Sequence, residues 1–180
     1  MEINSRTELL GLLGKPISHS LSPRIHNGIF QQSGINAVYL CFETEASAVT
    51  DAVQGLRRIG VRGFNVTIPY KETVIPLLDE FSEEVKLIRA VNTVKNVKGK
   101  LVGYNTDGLG FMDSLVRQAQ FLSRGKEVCI LGAGGAAKSL GFYLCKEGIS
   151  RLLVFDTVPE KSTALSDQLS SLFSGVSIQA

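Results

Sequence analysis

The sequence predicts an α/β protein with an N-terminal α/β domain followed by an incomplete Rossmann-type domain. Three observations lead there. Apolar runs of strand length alternate with helix-period stretches along the 180 residues, the pattern of mainly parallel sheets. The stretch Val128-Cys-Ile-Leu-Gly-Ala-Gly-Gly-Ala-Ala-Lys138 passes from strand to helix through glycines, as a dinucleotide-binding turn does. The segment C-terminal to that turn is short. A doubly wound fold needs two β-α-β-α-β units, and this sequence stops inside the first, so it reads as a fragment or truncated product of a longer protein.

Each element has its own signal. Residues 9–13 read as a strand, after which Ser22 and Pro23 open a helix, with a capping hydroxyl and a proline in the first turn. That helix runs through Ile25, Ile29 and Phe30 to a stop at Gly34. Residues 38–42 form a second strand, and 46–59 a helix with apolar positions at Val49, Val53 and Leu56. A third strand over 61–66 ends at Pro69, and short helices over 70–78 and 82–90 flank Asp79-Glu80. Residues 91–95 and 100–104 form a hairpin around Lys98-Gly99. A helix over 109–122 leads into the second domain, with the boundary near Asp107-Gly108, giving domains 1–107 and 108–180. Strand 128–131 and helix 136–146 flank the glycine turn. Strand 152–155, helix 159–173 and the start of a strand at 176–178 complete the sequence.

Composition excludes several classes. Hydrophobic residues at 44% and charged residues at 20% are those of an ordinary globular protein. A net charge of +2 with dispersed basic residues gives no footprint for nucleic acid or a membrane surface. No apolar run approaches the ~20 residues of a membrane span, and the N-terminus lacks a signal-peptide pattern. Cys41, Cys129 and Cys145 are far apart in apolar surroundings and read as reduced core thiols, with no disulfide framework and no metal site. A cytoplasmic protein is expected.

The glycine turn has a defined job. Gly132 permits the tight turn, Gly134 leaves no side chain between backbone and phosphate, and Ala137 lets helix pack close on strand. The helix start then offers unpaired N–H groups and positive dipole to a pyrophosphate. Residues 132–136 (Gly132, Ala133, Gly134, Gly135 and Ala136) are the candidate cofactor cradle, and Asp156 at the end of the next strand is the candidate ribose ligand.

Three segments of the first domain are polar where plain loops would serve. Ser20 and Ser22 stand two apart at a helix entrance, where hydroxyls and dipole suit a carboxylate, although capping alone would also explain Ser22. Thr67 and Lys71 come after an apolar strand. An ammonium there, partly desolvated, can serve as acid or base, although a lone lysine more often solvates a helix turn. Asn92 and Asp107 stand at strand ends, able to fork onto hydroxyls of a small polyol; Asn105-Thr-Asp-Gly108 is equally readable as a turn with a helix cap.

Together these segments resemble the shikimate dehydrogenase family. The matching stretches, in order, are His19-Ser-x-Ser-Pro23 with His26-Asn27, Asn65-Val-Thr-Ile-Pro-Tyr-Lys71, Ala90-Val-Asn-Thr93, Asn105-Thr-Asp-Gly108 and Gly132-Ala-Gly-Gly135. The resemblance implies an N-terminal substrate domain, a nicotinamide-dinucleotide-binding Rossmann domain, and reversible NAD(P)H-dependent reduction of 3-dehydroshikimate to shikimate in aromatic amino-acid biosynthesis. It further implies that Ser20 and Ser22 hold the substrate carboxylate and that Thr67, Asn92 and Asp107 bind ring hydroxyls. Lys71 would be the proton donor, with Asp107 within reach to keep it charged. His19 and His26 would shape the serine loop and pack the helix. A monomer or homodimer is expected.

Two departures from the family pattern stand out. Where NADP-using members carry Asn-Arg-Thr, this sequence has Asp156-Thr-Val158. A carboxylate there suits the ribose hydroxyls of NAD(H) and repels a 2′-phosphate, whereas the resemblance implies NADP(H). Lys161 offers some compensating charge without arginine's fork. An NAD-preferring quinate/shikimate dehydrogenase is therefore an alternative. The other departure is length: the family's returning helix has no counterpart. A non-catalytic ligand-sensing relative is a third reading, against which stands the presence of both Lys71 and Asp107.

Overall fold

The computed structural model describes residues 2–180. The chain divides into two compact units: the first runs up to Leu87 and includes Val91–Tyr104, and the second comprises Ile88–Ala90 and Asn105–Ala180.

The first unit is built on a six-stranded sheet. Its strands are β1 (Glu8–Gly14), β2 (Ala37–Glu43), β3 (Gly63–Val66), β4 (Glu80–Phe81), β5 (Thr93–Val97) and β6 (Lys100–Tyr104), in the order β2-β1-β3-β5-β6-β4. β1 runs parallel to β2 and β3, and β4 parallel to β6; the β5–β6 hairpin makes the remaining pairs antiparallel. Its two-residue loop, Lys98-Gly99, has φ of 53° and 89°, the doubly positive turn that matches strand twist. Helix α1 (Ser22–Gln32) packs beside β2, and α2 (Val49–Arg58) comes after a single 3₁₀ turn. Val49, Val53 and Leu56 of α2 are buried with Leu13, Phe64, Val66 and Val94 of the sheet. Each such side chain contributes about 1.5–3 kcal/mol of apolar burial.

Several expectations need correction here. Residues 70–78 are turns with a 3₁₀ segment at Ile75–Leu77 instead of a helix. Pro76 lacks the amide hydrogen that an α-helix would donate to the Glu72 carbonyl, so an α-helix does not run through it. The expected separator Asp79-Glu80 leads into β4, and the Asp79 carboxylate caps the sheet by accepting the Leu101 amide at 2.6 Å and Arg57 Nη1 at 3.1 Å. The next helix, α3, is shortened to Glu83–Ile88 and ends where Arg89 takes φ of 57°. At α1 the N-cap residue is Leu21, with no side-chain cap; the Ser22 amide donates instead to Ser20 Oγ at 3.2 Å. Of the cysteines only Cys145 is buried, where loss of solvent pushes its thiol up to about 11. Cys129 is exposed because it falls on the outward phase of its strand; Cys41 shares the face of buried Ala37 and Tyr39 but lies further along β2, where that face is no longer covered.

The second unit carries a parallel three-stranded sheet, β7 (Glu127–Leu131), β8 (Arg151–Phe155) and β9 (Ser177–Gln179), in that order. Helix α4 (Asp107–Arg117) enters the unit, α5 (Gly135–Glu147) joins β7 to β8, and α6 (Pro159–Leu172) joins β8 to β9. This is the β-α-β-α-β half of a Rossmann fold. Phe142, Leu144, Leu152, Val154, Leu165 and Leu169 form its core. Among the described residues, no helix is long and apolar enough to cross a membrane, and no group of three or more His, Cys, Asp or Glu side chains could hold a metal ion.

Helix α4 meets α5 at Gly108, which is buried. A Cβ there would overlap the Tyr143 ring and lie 2.8 Å from the Ser139 carbonyl oxygen. Gly108→Ala is therefore expected to destabilise the second unit by about 1–3 kcal/mol through overpacking. Urea denaturation monitored by circular dichroism checks this; an unchanged midpoint would contradict the close α4–α5 approach.

Candidate active site

In the first unit the candidate residues gather at the carboxyl ends of β1 and β3. Topology is the reason: parallel strands send their outgoing loops to one edge, the edge at which open α/β sheets bind ligands. The loop after β1 carries Ser20, and Ser22 opens α1; both are half-buried. The loop is fixed by the Ile17 amide, which donates to Glu43 Oε2 at 3.1 Å, and the Ser20 amide, which donates to the Ile17 carbonyl at 3.0 Å. Lys15 beside it is ion-paired with Glu45, whose carboxylate raises the lysine's pKa.

The segment after β3 carries Thr67 and Lys71. The Thr67 amide donates to the Leu13 carbonyl at 2.9 Å, tying it to the end of β1. Tyr70 is buried, with its hydroxyl donating to the Thr44 carbonyl at 2.6 Å, which fixes the backbone just before Lys71. The Lys71 carbonyl accepts the Val91 amide at 2.7 Å, and the Asn92 carbonyl accepts the Val66 amide at 2.8 Å. These two bonds bring Val91-Asn92 alongside the Thr67–Lys71 segment. Lys71 is half-buried and Asn92 is buried. A hydroxyl, an amide and an ammonium thus come together at one sheet edge, a donor-rich set suited to a small oxygenated anion. His19 is exposed, while His26 stacks on the Tyr39 ring with centroids 4.3 Å apart.

In the second unit Asp107 is the first residue of α4 and half-buried, its amide donating to Asn105 Oδ1 at 3.1 Å. Asn105 is itself held: its Nδ2 donates to the Ala90 carbonyl at 2.9 Å, and its Oδ1 accepts from Ser139 Oγ at 2.8 Å. Ser139 Oγ in turn accepts the Gly108 amide at 2.8 Å. The start of α4, and Asp107 with it, is anchored to α5 by a fully buried serine. Sequence reasoning missed Ser139, because a serine inside a helix carries no local sign of a distant partner.

The glycine turn has Gly132 at φ of 101°, in the left-handed region that side chains avoid, with its amide donating to the Phe155 carbonyl at 2.6 Å. Gly134 is extended and caps α5, and Ala137 is buried against the core. Nothing lies within 4 Å of where a Cβ would stand on Gly132 or Gly134. The space beside this backbone is open, as a dinucleotide pyrophosphate requires, so residues 132–136 fit such a group. Asp156 Oδ2 accepts the Ala133 amide at 2.7 Å, and Oδ1 accepts the Val158 amide at 2.9 Å. These bonds, Val158 foremost, hold its carboxyl below the usual range. Asp156 therefore clasps the end of β8 to the glycine turn while keeping its charge.

The fold is that of an α/β protein whose second unit carries the Rossmann half and glycine turn of the dinucleotide-binding class. Comparisons with known proteins show what the chain resembles. The sequence model described as the shikimate dehydrogenase substrate binding domain matches residues 12–94. The shikimate dehydrogenase (NADP(+)) of Caldanaerobacter subterraneus is 43% identical over 173 residues, which are 96% of this chain and 61% of that protein. The crystal structure of shikimate dehydrogenase from Aquifex aeolicus superposes with a TM-score of 0.90 at 38% identity, covering 99% of this chain and 65% of the other. That of shikimate 5-dehydrogenase from Listeria monocytogenes, in complex with shikimate and NAD, gives 0.89 at 36% identity, over 99% and 62%. Over nearly its whole length the chain is similar to shikimate dehydrogenases. It spans about three-fifths of the length of the curated relatives it matches.

Proposed function

We propose that the protein is a shikimate dehydrogenase, which reversibly reduces 3-dehydroshikimate to shikimate with a nicotinamide dinucleotide, and that it prefers NAD to NADP. Residues 1–107 serve as the substrate-binding domain and 108–180 as part of the dinucleotide-binding domain. The reading is carried chiefly by one observation: Thr67, Lys71 and Asn92 share one sheet edge through the Lys71–Val91 and Asn92–Val66 backbone bonds.

Each role has a chemical basis. Ser20 and Ser22 donate hydrogen bonds to the substrate carboxylate. Thr67, Asn92 and Asp107 take the ring hydroxyls. When bound, the nicotinamide supplies or accepts hydride at the carbonyl carbon. Hydride arrival leaves negative charge growing on the carbonyl oxygen, and the ammonium of Lys71 gives that oxygen a proton, recovering it in the reverse direction. Residues 132–136 cradle the pyrophosphate with the amides of Gly134, Gly135 and Ala136 as donors, since those of Gly132 and Ala133 are taken by the Phe155 carbonyl and Asp156. Asp156 accepts the ribose hydroxyls with the lone pairs its two amide partners leave over, since a carboxylate offers about four such sites. A cytoplasmic location accords with this chemistry.

A steady-state assay with shikimate and with quinate, each against NAD and NADP, tests the reading. The expected result is highest kcat/KM for shikimate with NAD. Turnover of quinate alone would refute the substrate assignment, and a preference for NADP would refute the cofactor assignment.

Ser22→Ala is expected to weaken shikimate binding about tenfold, the worth of one hydrogen bond to a charged group. Since the Ser22 hydroxyl does not cap α1, the helix should survive the change. Calorimetric titration checks it, with NAD affinity expected to stay the same.

A further inference from the structure

Tyr39, Asn65, Thr93 and Asn92 form one continuous hydrogen-bonded chain from β2 across β3 to the start of β5. The Tyr39 hydroxyl lies 2.7 Å from Asn65 Oδ1. Asn65 Nδ2 lies 3.3 Å from the Asn92 backbone carbonyl and 3.1 Å from Thr93 Oγ1. Thr93 Oγ1 lies 3.0 Å from Asn92 Oδ1.

A single group fixes the orientation of the Asn65 amide and, with it, the direction of the Tyr39 bond. The Asn92 carbonyl is an acceptor only, so the end of the Asn65 amide that faces it must be the nitrogen. Its oxygen then faces Tyr39, which must donate. Burial pushes the Tyr39 phenol pKa upward, so this donor keeps its proton through the neutral range. The second Asn65 N–H donates to Thr93 Oγ1, and the Thr93 hydroxyl gives its own hydrogen to Asn92 Oδ1. The Asn92 side chain thus turns its oxygen to Thr93. The far end of the chain is rigid as well: the Asn27 amide brackets Tyr39, accepting its N–H at 2.8 Å and donating to its carbonyl at 2.9 Å.

We infer that Thr93, itself set by Asn65 and Tyr39, is a positioning residue that fixes the Asn92 amide so that it meets a substrate oxygen as a donor, through nitrogen. This rests on the proposed role of Asn92 as a substrate ligand. Thr93 does not touch substrate; it acts by choosing which end of its neighbour's amide is offered. Without the hydroxyl, the two amide orientations become close in energy and part of the population presents the wrong end.

The test is calorimetric titration of the 180-residue chain with shikimate, for the unaltered protein, Asn92→Ala, Thr93→Val, Thr93→Ser, Tyr39→Phe and the Asn92→Ala/Thr93→Val pair. Thr93→Val keeps shape and β-branching, so the strand should hold; its thermal midpoint is measured alongside. It is expected to weaken binding about three- to tenfold, the worth of one neutral hydrogen bond. Thr93→Ser should restore affinity, and Tyr39→Phe should lose less, in the same direction. The pair should bind like Asn92→Ala alone, because Thr93 has nothing left to position. Losses that multiply in the pair would make Thr93 an independent structural contributor and overturn the inference. Weakened Asn92→Ala with unchanged Thr93→Val would overturn it while leaving Asn92 as a ligand. Unchanged binding in Asn92→Ala would bring down both. A ligand-free readout accompanies these: the side-chain NH2 signals of Asn92 should broaden or shift in Thr93→Val, and an unaltered pair of signals would count against the inference.

Discussion

Lys71→Ala is expected to lower kcat for shikimate oxidation by about a hundredfold or more, the range of general acid–base groups, with little change in KM. The asymmetry between the two constants carries the meaning. An ammonium that only held substrate would raise KM and leave the chemical step alone; one that moves a proton in the transition state lowers kcat. The local structure makes the experiment interpretable. Lys71 sits outside any helix or strand, and its backbone carbonyl accepts the Val91 amide. Removing the side chain leaves that bond, so the site should keep its shape. Lys71→Arg is a useful companion, since it retains charge but does not surrender a proton near neutral pH. Recovered turnover in the arginine variant would assign Lys71 to electrostatics instead of proton transfer. Unchanged turnover in the alanine variant would remove it from the mechanism.

The second large effect is expected at Asp156. Asp156→Asn should shift the NAD-to-NADP ratio of kcat/KM toward NADP by about tenfold or more, because a carboxylate beside a 2′-phosphate sets like charges a few ångströms apart. The ratio is the right quantity, and the structure says why. Asp156 also clasps the Ala133 and Val158 amides, so any substitution disturbs the glycine turn and weakens both cofactors. That shared loss cancels in the ratio, whereas the charge effect does not. An unaltered ratio would leave Asp156 as a clasp alone. The clasp has a pH signature of its own. Because these amides lower the carboxyl pKa in the folded state, the stabilisation they give is present above the unfolded carboxylate pKa of about 3.9. It is lost as pH falls through the lower folded value.

Much of this protein is legible one segment at a time. The Val49, Val53, Leu56 period, the hairpin at Lys98-Gly99 and the strand–glycine–helix passage at 128–138 are local signals, and the corresponding elements stand within a few residues of where the pattern places them. The helix expected over 70–78 fails for an equally local reason, Pro76, whose missing donor outweighs the apolar spacing around it. The cysteines show the limit of that reading. Apolar neighbours in sequence do not decide which face of a strand turns inward or how far along it the cover extends: Cys129 fell on an outward face, and Cys41 on the inward face of β2 beyond its covered part.

Local periodicity and turn chemistry thus determined the fold class, the order of elements and the residue types able to recognise oxygen and phosphate. Tertiary structure alone decided which of these groups are held, and by what. Ser139 anchors Asn105 from 34 residues away, Asp156 closes on Ala133 across 23, and Tyr39 reaches Asn65 across 26. Hydrogen bonds of this kind depend on two segments meeting at the right distance and angle, and that meeting is set by the packing of the whole sheet. No window of the sequence contains both partners.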